Sequence, residues 1–111
     1  MSWYTVSLLL KSIHSPPSEF EPLWEERLVL VEAQTEEQAH QKGEKIGKEA
    51  EQEYGVDYKG SKVGEKAKWT FMQVASVCQI ESESLLDGTE LFSRFLRDSE
   101  VKSLLTPFDD E

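Results

Sequence analysis

Cysteine is almost absent from this chain, since Cys78 is the only one among 111 residues. A single cysteine excludes an internal disulfide and a cysteine zinc cage. Positive charge is also scarce, because 12 lysines and arginines stand against 22 aspartates and glutamates, for a net charge of -10. Such a surface repels phosphate backbones and anionic membranes, so we expect no nucleic-acid partner and no membrane partner.

Long apolar runs are missing as well, and no stretch approaches the ~20 apolar residues of a membrane-spanning helix. The N-terminal residues MSWYTVSLLLKS have no basic start, and Thr5 and Ser7 interrupt their apolar run. This argues against a signal peptide. Together with the unpaired cysteine, these absences predict a protein of the reducing cytoplasm.

The chain does contain enough apolar material to fold. Hydrophobic residues make up 38% of it and include three Trp, three Tyr and five Phe. This argues against a chain that is disordered over its whole length. A length of 111 residues suits one hydrophobic core rather than two. We therefore expect a single α+β domain over residues 1–111, with the acidic tail of about residues 106–111 frayed.

Alternating apolar residues predict four strands. The pattern covers residues 2–13, 24–33, 69–80 and 89–96. The second and third of these are apolar on both sides, which is typical of strands buried on both faces. A proline-containing segment at 14–23 and a Gly/Lys segment at 57–68 are predicted loops.

A capping box predicts where the helix begins. In the sequence TEEQ the hydroxyl of Thr35 can accept a hydrogen bond from the amide of Gln38, whose side chain can reach back. Small or apolar residues then recur at helical spacing, at Ala39, Gly43, Ile46, Ala50 and Tyr54. This stripe predicts one helix over about residues 35–54, which lies close to the sheet because its glycines permit the approach.

The predicted fold is thus a four-stranded, mainly antiparallel sheet with one long helix on one face, in the order β-β-α-β-β, followed by a short C-terminal helix at residues 99–105. Large apolar side chains occupy both faces of the predicted strands, and one thin helix covers a single face. The second face needs a cover, which is either residues 99–108 or another copy of the chain. We therefore expect a homodimer, formed sheet to sheet or along an edge strand.

No motif has the spacing of a catalytic site. The segment GEKIGKE resembles a phosphate loop, but it lies inside the predicted helix and its glycines are four apart. Glu36, His40 and Glu44 fall on one helical side, where a solvated surface is commoner than a metal site. Cys78 lies in mid-strand, where an inert thiol is commoner than a nucleophile. We therefore expect no catalytic residue, no metal and no cofactor.

Candidates for contact with a partner are Tyr58, Lys59, Lys62, Trp69 and Arg94. The first four belong to or flank the one locally basic loop, which suits a phosphate or an acidic partner; a plain connection with solubilising lysines is the alternative. Arg94 lies within the stretch DGTELFSRFLRD. It is expected to pair across strands with Glu26 or Glu32, to cover an aromatic ring, or to bind a partner.

Four segments together resemble a known family: WYTVSLLLKS, WEERLVLVEAQTEEQAHQKGEKIGKE, KWTFMQVASVCQI and DGTELFSRFL. In this order they are similar to bacterial proteins grouped as domain of unknown function 4288, and they span nearly the whole chain. That family has no assigned activity. The resemblance therefore implies a bacterial, cytoplasmic domain and supplies no catalytic residues.

Three classes of function stay open. The favoured one is a non-enzymatic protein-interaction or accessory domain, including one of the immunity type, whose partners are a second copy of itself and a further, unidentified protein. The alternative is an enzyme or small-ligand-binding domain, which perturbed titratable groups in a deep cleft would favour. The third is an acidic mimic of nucleic acid, which requires carboxylates arrayed on one face, whereas acids here alternate with lysines.

Overall fold

Three long strands and one short strand form the sheet of this α+β protein. A computed structural model describes residues 1–15, 21–55, 66–82 and 84–106, with the backbone alone at residues 52–55 and 66. In chain order the elements are β1 (Ser2–Ser15), β2 (Trp24–Ala33), α1 (Glu36–Glu49), β3 (Gln52–Gly55), β4 (Lys66–Gln79) and α2 (Asp98–Leu105). The strand order in the sheet is β2-β1-β4-β3, and every pairing is antiparallel.

The predicted sheet, with residues 89–96 as its fourth strand beside one long helix, is wrong. Residues 89–96, expected to be the fourth strand, form no strand. The four-residue β3 instead occupies positions where the helix was expected to continue, and α1 ends at Glu49. The helix stops there because the backbone that follows pairs with β4, and because the Glu51 carboxylate accepts the Phe71 amide at 3.0 Å.

An extended segment takes the place of the predicted fourth strand. Residues 89–97 cross the sheet on the side opposite α1, where the Thr5 hydroxyl donates to the Leu91 carbonyl at 2.5 Å. An extended chain that lies on a surface turns alternate side chains towards it, as a strand does. The alternating pattern therefore indicated the extended conformation and not a hydrogen-bonded ladder.

Helix α1 begins at the predicted cap and covers the core. The Thr35 hydroxyl accepts the Gln38 amide at 3.1 Å, and the Gln38 side chain accepts the Gln34 amide at 2.7 Å. Beneath the helix the buried apolar cluster consists of Tyr4, Val6, Leu8, Leu10, Val31, Ala33 and Ala39. Neither α1 nor α2, the helices of the described residues, has the length and apolar character needed to cross a bilayer.

Two glycines let α1 lie close to the sheet, as predicted. A Cβ atom at Gly43 would lie 2.5 Å from Cγ1 of Val6, and one at Gly47 would overlap the ring of Phe71. Both approaches are far closer than van der Waals contact, so no larger residue fits unless the helix or the Val6 and Phe71 side chains move.

Two register shifts decide which side chains of β4 face α1. They leave Ala75 and Met72 without a partner on β1, as β-bulges do. Phe71, Val74 and Val77 therefore all pack against the core under the helix, although strict alternation would divide them between the two faces.

Candidate interaction surface

The sheet face opposite α1, here called the open face, carries the side chains that point away from the helix. Its members are Trp3, Thr5, Ser7, Leu9, Lys11 and Ile13 of β1, Trp24, Glu26, Leu28, Leu30 and Glu32 of β2, and Thr70, Gln73, Ser76 and Cys78 of β4. Trp3, Trp24, Leu28 and Leu30 are between 42% and 50% exposed. The open face thus presents large apolar side chains to solvent.

The C-terminal arm, residues 89–106, crosses this face. At β1 it is held by the buried Thr5 hydroxyl, which donates to the Leu91 carbonyl. β1 is an inner strand with β2 on one side and β4 on the other. The next contact of the arm therefore shows towards which of these two strands it runs.

That next contact is with β2. Nη1 of Arg94 lies 3.3 Å from Oε2 of Glu26, and the same oxygen accepts the Ser7 hydroxyl at 2.7 Å. Glu26 is one of the two partners expected for Arg94, although the contact forms across the sheet face rather than between paired strands. The arm therefore runs from β1 towards the free edge of β2.

Beyond Arg94 the arm leaves the body of the domain. Phe95 is fully exposed, and α2 contacts neither α1 nor any strand of the described chain. The apolar residues Val101, Leu104 and Leu105 lie on one side of α2, three and four positions apart, and all are exposed. An apolar helix side without a contact to the other described elements is unusual for a protein in water.

Of the five predicted partner-binding residues, the structure describes Trp69 and Arg94. Tyr58, Lys59 and Lys62 lie outside the described residues. Trp69 lies in β4 on the helix side of the sheet and packs, partly buried, against the core. Arg94 lies on the opposite side, so these two residues belong to different surfaces.

Sequence reasoning named Glu26 as one of two possible partners of Arg94 but missed Thr5 and Ser7. The signal was present in β1, where small hydroxyl residues alternate with large apolar ones. Buried hydroxyl groups need hydrogen-bond partners, so such a pattern marks a face that another segment must cover. Nothing local to β1 indicated which segment that would be.

The outer side of α1 is open to solvent and carries both glutamates and lysines, with Glu36 and Glu37 in its first turn. A depression of about 580 Å³ is lined by Glu36, Glu37, His40, Gln41, Glu44 and Val77. Within it, Nδ1 of His40 lies 3.4 Å from Oε1 of Glu44. Across the residues that the structure describes, no three His, Cys, Asp or Glu side chains are grouped so as to hold a metal ion.

Cys78 is a free thiol on the open face, opposite Thr5 in the β1–β4 ladder. It is half-buried, and its Sγ lies 3.9 Å from the carbonyl oxygen of Gln79. This partner is a neutral carbonyl, whereas nucleophilic thiolates are activated by positively charged neighbours.

These features define a small α+β domain in which a helix covers one sheet face and an arm covers only part of the other. The chain belongs to the family described as Domain of unknown function (DUF4288), whose sequence model matches residues 3–93. This confirms the resemblance seen in the sequence. The match includes β1, β2, α1 and β4, and α2 lies beyond it. No curated protein and no solved structure matches the chain.

Proposed function

We propose that this chain is a non-enzymatic protein-interaction domain that acts through its open face and its arm. One observation carries the proposal, namely the apolar surface that the domain exposes. Its largest members are Trp3, Trp24, Leu28, Leu30, Phe95, Leu104 and Leu105. Monomeric proteins seldom expose an apolar patch beyond a few hundred Å², and larger patches mark contact surfaces.

The charges of the molecule support a contact that is apolar at its centre. The open face combines Glu26 and Glu32 with Lys11, and Arg94 of the arm neutralises Glu26. An accessory factor of the immunity type would use the net negative charge of the chain against a basic partner.

The alternative, an enzyme or ligand-binding domain, has less support. The depression beside α1 and a second one of about 440 Å³ next to it are lined mainly by charged side chains at the surface. Ligand sites are usually clefts lined mostly by hydrophobic and aromatic residues, whereas Val77 is the one apolar residue, among those described, that lines either depression. We place the proposed interaction domain in the cytoplasm of a bacterium, where the unpaired Cys78 would stay reduced.

A photo-crosslinking residue at Leu30 tests the proposal. In bacterial cells that express the chain, irradiation should join Leu30 on the open face to a protein, because the face is buried in the contact. The products are separated on a denaturing gel and identified by mass spectrometry.

The matched control carries the same crosslinker at Gln41, an exposed residue of α1. No adduct is expected there. If Leu30 yields no protein adduct, or only the same products as Gln41, the open face is not a contact surface and the proposal fails.

A further inference from the structure

The outer edge of β2 offers free backbone groups, as two hydrogen bonds show. The Ser12 amide donates to the Leu23 carbonyl at 2.9 Å, so odd-numbered residues of β2 bond to β1. Even-numbered residues turn their amides and carbonyls outward, where the Lys42 ammonium reaches the Glu32 carbonyl. In the described part of the chain no strand lies beside this outer side.

The β2 edge is also regular, which edge strands usually avoid. Its pairing with β1 runs from Trp24 to Ala33 without a register shift, and the strand contains no proline. The opposite side of the sheet differs, because β4 has two register shifts and is partly covered by β3. Only β2 therefore presents a long, straight template for another strand within the described sheet.

The same outward residues carry apolar side chains. Trp24, Leu28 and Leu30 are each about half exposed, at 47%, 49% and 50%. A strand placed beside β2 would bond to their backbone groups and cover their side chains at once.

The arm points to the same place. It contacts β1 at Thr5 and β2 at Glu26, so its path leads over the free edge. Phe95 and α2 follow Arg94 in the sequence, and the apolar side of α2 packs on no other element of the described chain. A neighbour that extends the sheet at β2 would lie directly beneath them.

We propose that this neighbour is a second copy of the chain, bound antiparallel along β2 so that two sheets join into one and each arm packs on the open face of the other protomer. The inference rests on the proposed function and names the partner. A two-fold axis beside Leu28 pairs residues 24–32 of one chain with the same residues of the second copy, in reverse order. It places Leu28 against the partner's Leu28. An axis beside Glu26 would instead place two glutamates face to face.

The exposed area matches what a stable dimer needs. The apolar side chains of the β2 edge and the arm are Trp24, Leu28, Leu30, Leu91, Phe95, Leu96, Leu104 and Leu105. At their exposed fractions they offer on the order of 1,000 Å² per chain, and a stable interface takes about 800 Å² from each partner. Because the open face is balanced in charge, two copies do not repel each other at the contact itself, and the net charge of -10 acts at longer range.

Light scattering on the full chain tests the dimer. The wild type at micromolar concentration should have twice the mass of one chain, which is 12.7 kDa. Leu28→Lys/Leu30→Lys should have the mass of one chain, because two like charges would meet at the centre. Gln34→Lys/Gln41→Lys, with the same change of charge at exposed positions, should remain dimeric.

A crosslink tests the geometry without relying on a variant that weakens the contact. In a Cys78→Ser background, Leu28→Cys should be joined to its partner by a short bis-maleimide, because the two-fold axis brings both thiols together. Gln41→Cys in the same background should yield no such product.

The outcomes separate this inference from the proposed function. A wild type with the mass of one chain overturns the second copy, while Leu30 adducts to another protein would still support an interaction domain. A dimer that survives the β2 lysines, gives no crosslink at position 28 and is lost in Leu104→Lys/Leu105→Lys overturns the edge pairing. A chain with the mass of one protomer and without adducts overturns both.

Discussion

The Thr5 hydroxyl ties the arm to the sheet in a buried place. It is 6% exposed and donates to the carbonyl of Leu91, 86 positions further along the chain. Arg94 adds an ion pair with Glu26, but both side chains are partly exposed, and pairs of this kind contribute only about 0–1 kcal/mol. The buried neutral hydrogen bond is therefore the more informative contact to remove.

Thr5→Val keeps the shape of the side chain and removes the donor. We expect the free energy of unfolding to fall by about 1 kcal/mol, because the Leu91 carbonyl loses its partner. A urea melt measures the change. In the control, Thr70→Val, the hydroxyl lost makes only a long 3.4 Å contact, so little change is expected. Equal losses in both variants would mean that the Thr5 bond contributes nothing specific.

Helix α1 is held less by large side chains than by close approach. Gly43 and Gly47 face the sheet, and the one large aliphatic residue of the stripe, Ile46, lies between them and is half-buried. This arrangement places the helix backbone almost on the core side chains. Its stability should therefore respond to added volume as well as to lost volume.

Gly43→Ala tests the response to added volume. A Cβ there would lie 2.5 Å from Cγ1 of the fully buried Val6, which cannot turn aside. Overpacking destabilises a core by about 1–3 kcal/mol, whereas replacing glycine by alanine in a helix stabilises it by about 1 kcal/mol. We therefore expect the free energy of unfolding to fall by ~1 kcal/mol.

Urea melts compare this variant with Gln41→Ala, which changes an exposed position of the same helix. A gain of stability in Gly43→Ala would show that the helix is free to move away from the sheet.

Ile46→Ala tests the response to lost volume. Because Ile46 is half-buried, we expect a loss of about 2 kcal/mol, at the lower end of the range for such truncations. Thermal and urea unfolding measure it against Lys45→Ala, an exposed neighbour. A change no larger than that of the control would place another side of α1 against the sheet.

Two of the element predictions failed for a common reason. The residues expected to form the end of the helix pair with β4, and the residues expected to form the fourth strand lie across the open face. In both cases the local pattern was compatible with the observed conformation. Contacts with residues far away in sequence decided between the possibilities, and periodicity carries no information about them.

The domain as a whole is elongated and unevenly charged. Its radius of gyration is 17.2 Å, against about 13 Å for a compact domain of this length. The open face itself is balanced in charge, because Lys11 and Arg94 offset Glu26 and Glu32. Two copies that meet at this face would therefore repel each other at long range only.

Salt should strengthen the proposed dimer. Between about 0.1 and 1 M salt the Debye length falls from ~10 to ~3 Å, which removes the long-range repulsion and leaves the apolar contact intact. We expect the dimer dissociation constant, measured by analytical ultracentrifugation, to fall several-fold. A dissociation constant that rises with salt would instead identify an interface held by ion pairs.

Local signals were sufficient for much of this chain. The bounds of β2 follow from its apolar run, and the start of α1 follows from the Thr35 capping box, because both depend on neighbours within a few residues. The close approach of α1 likewise follows from glycines at helical spacing. The candidate surface was predictable only as a surplus of apolar side chains on two sheet faces.

Tertiary structure decided which of those side chains are buried. The two bulges of β4 assigned Phe71, Val74 and Val77 to one face, and the path of the arm left the β2 edge open. Neither outcome can be read from periodicity, because a bulge reverses the alternation and a crossing segment looks like a strand. The sequence by itself thus determined the charge and apolar content of the interaction surface, and long-range packing determined its position.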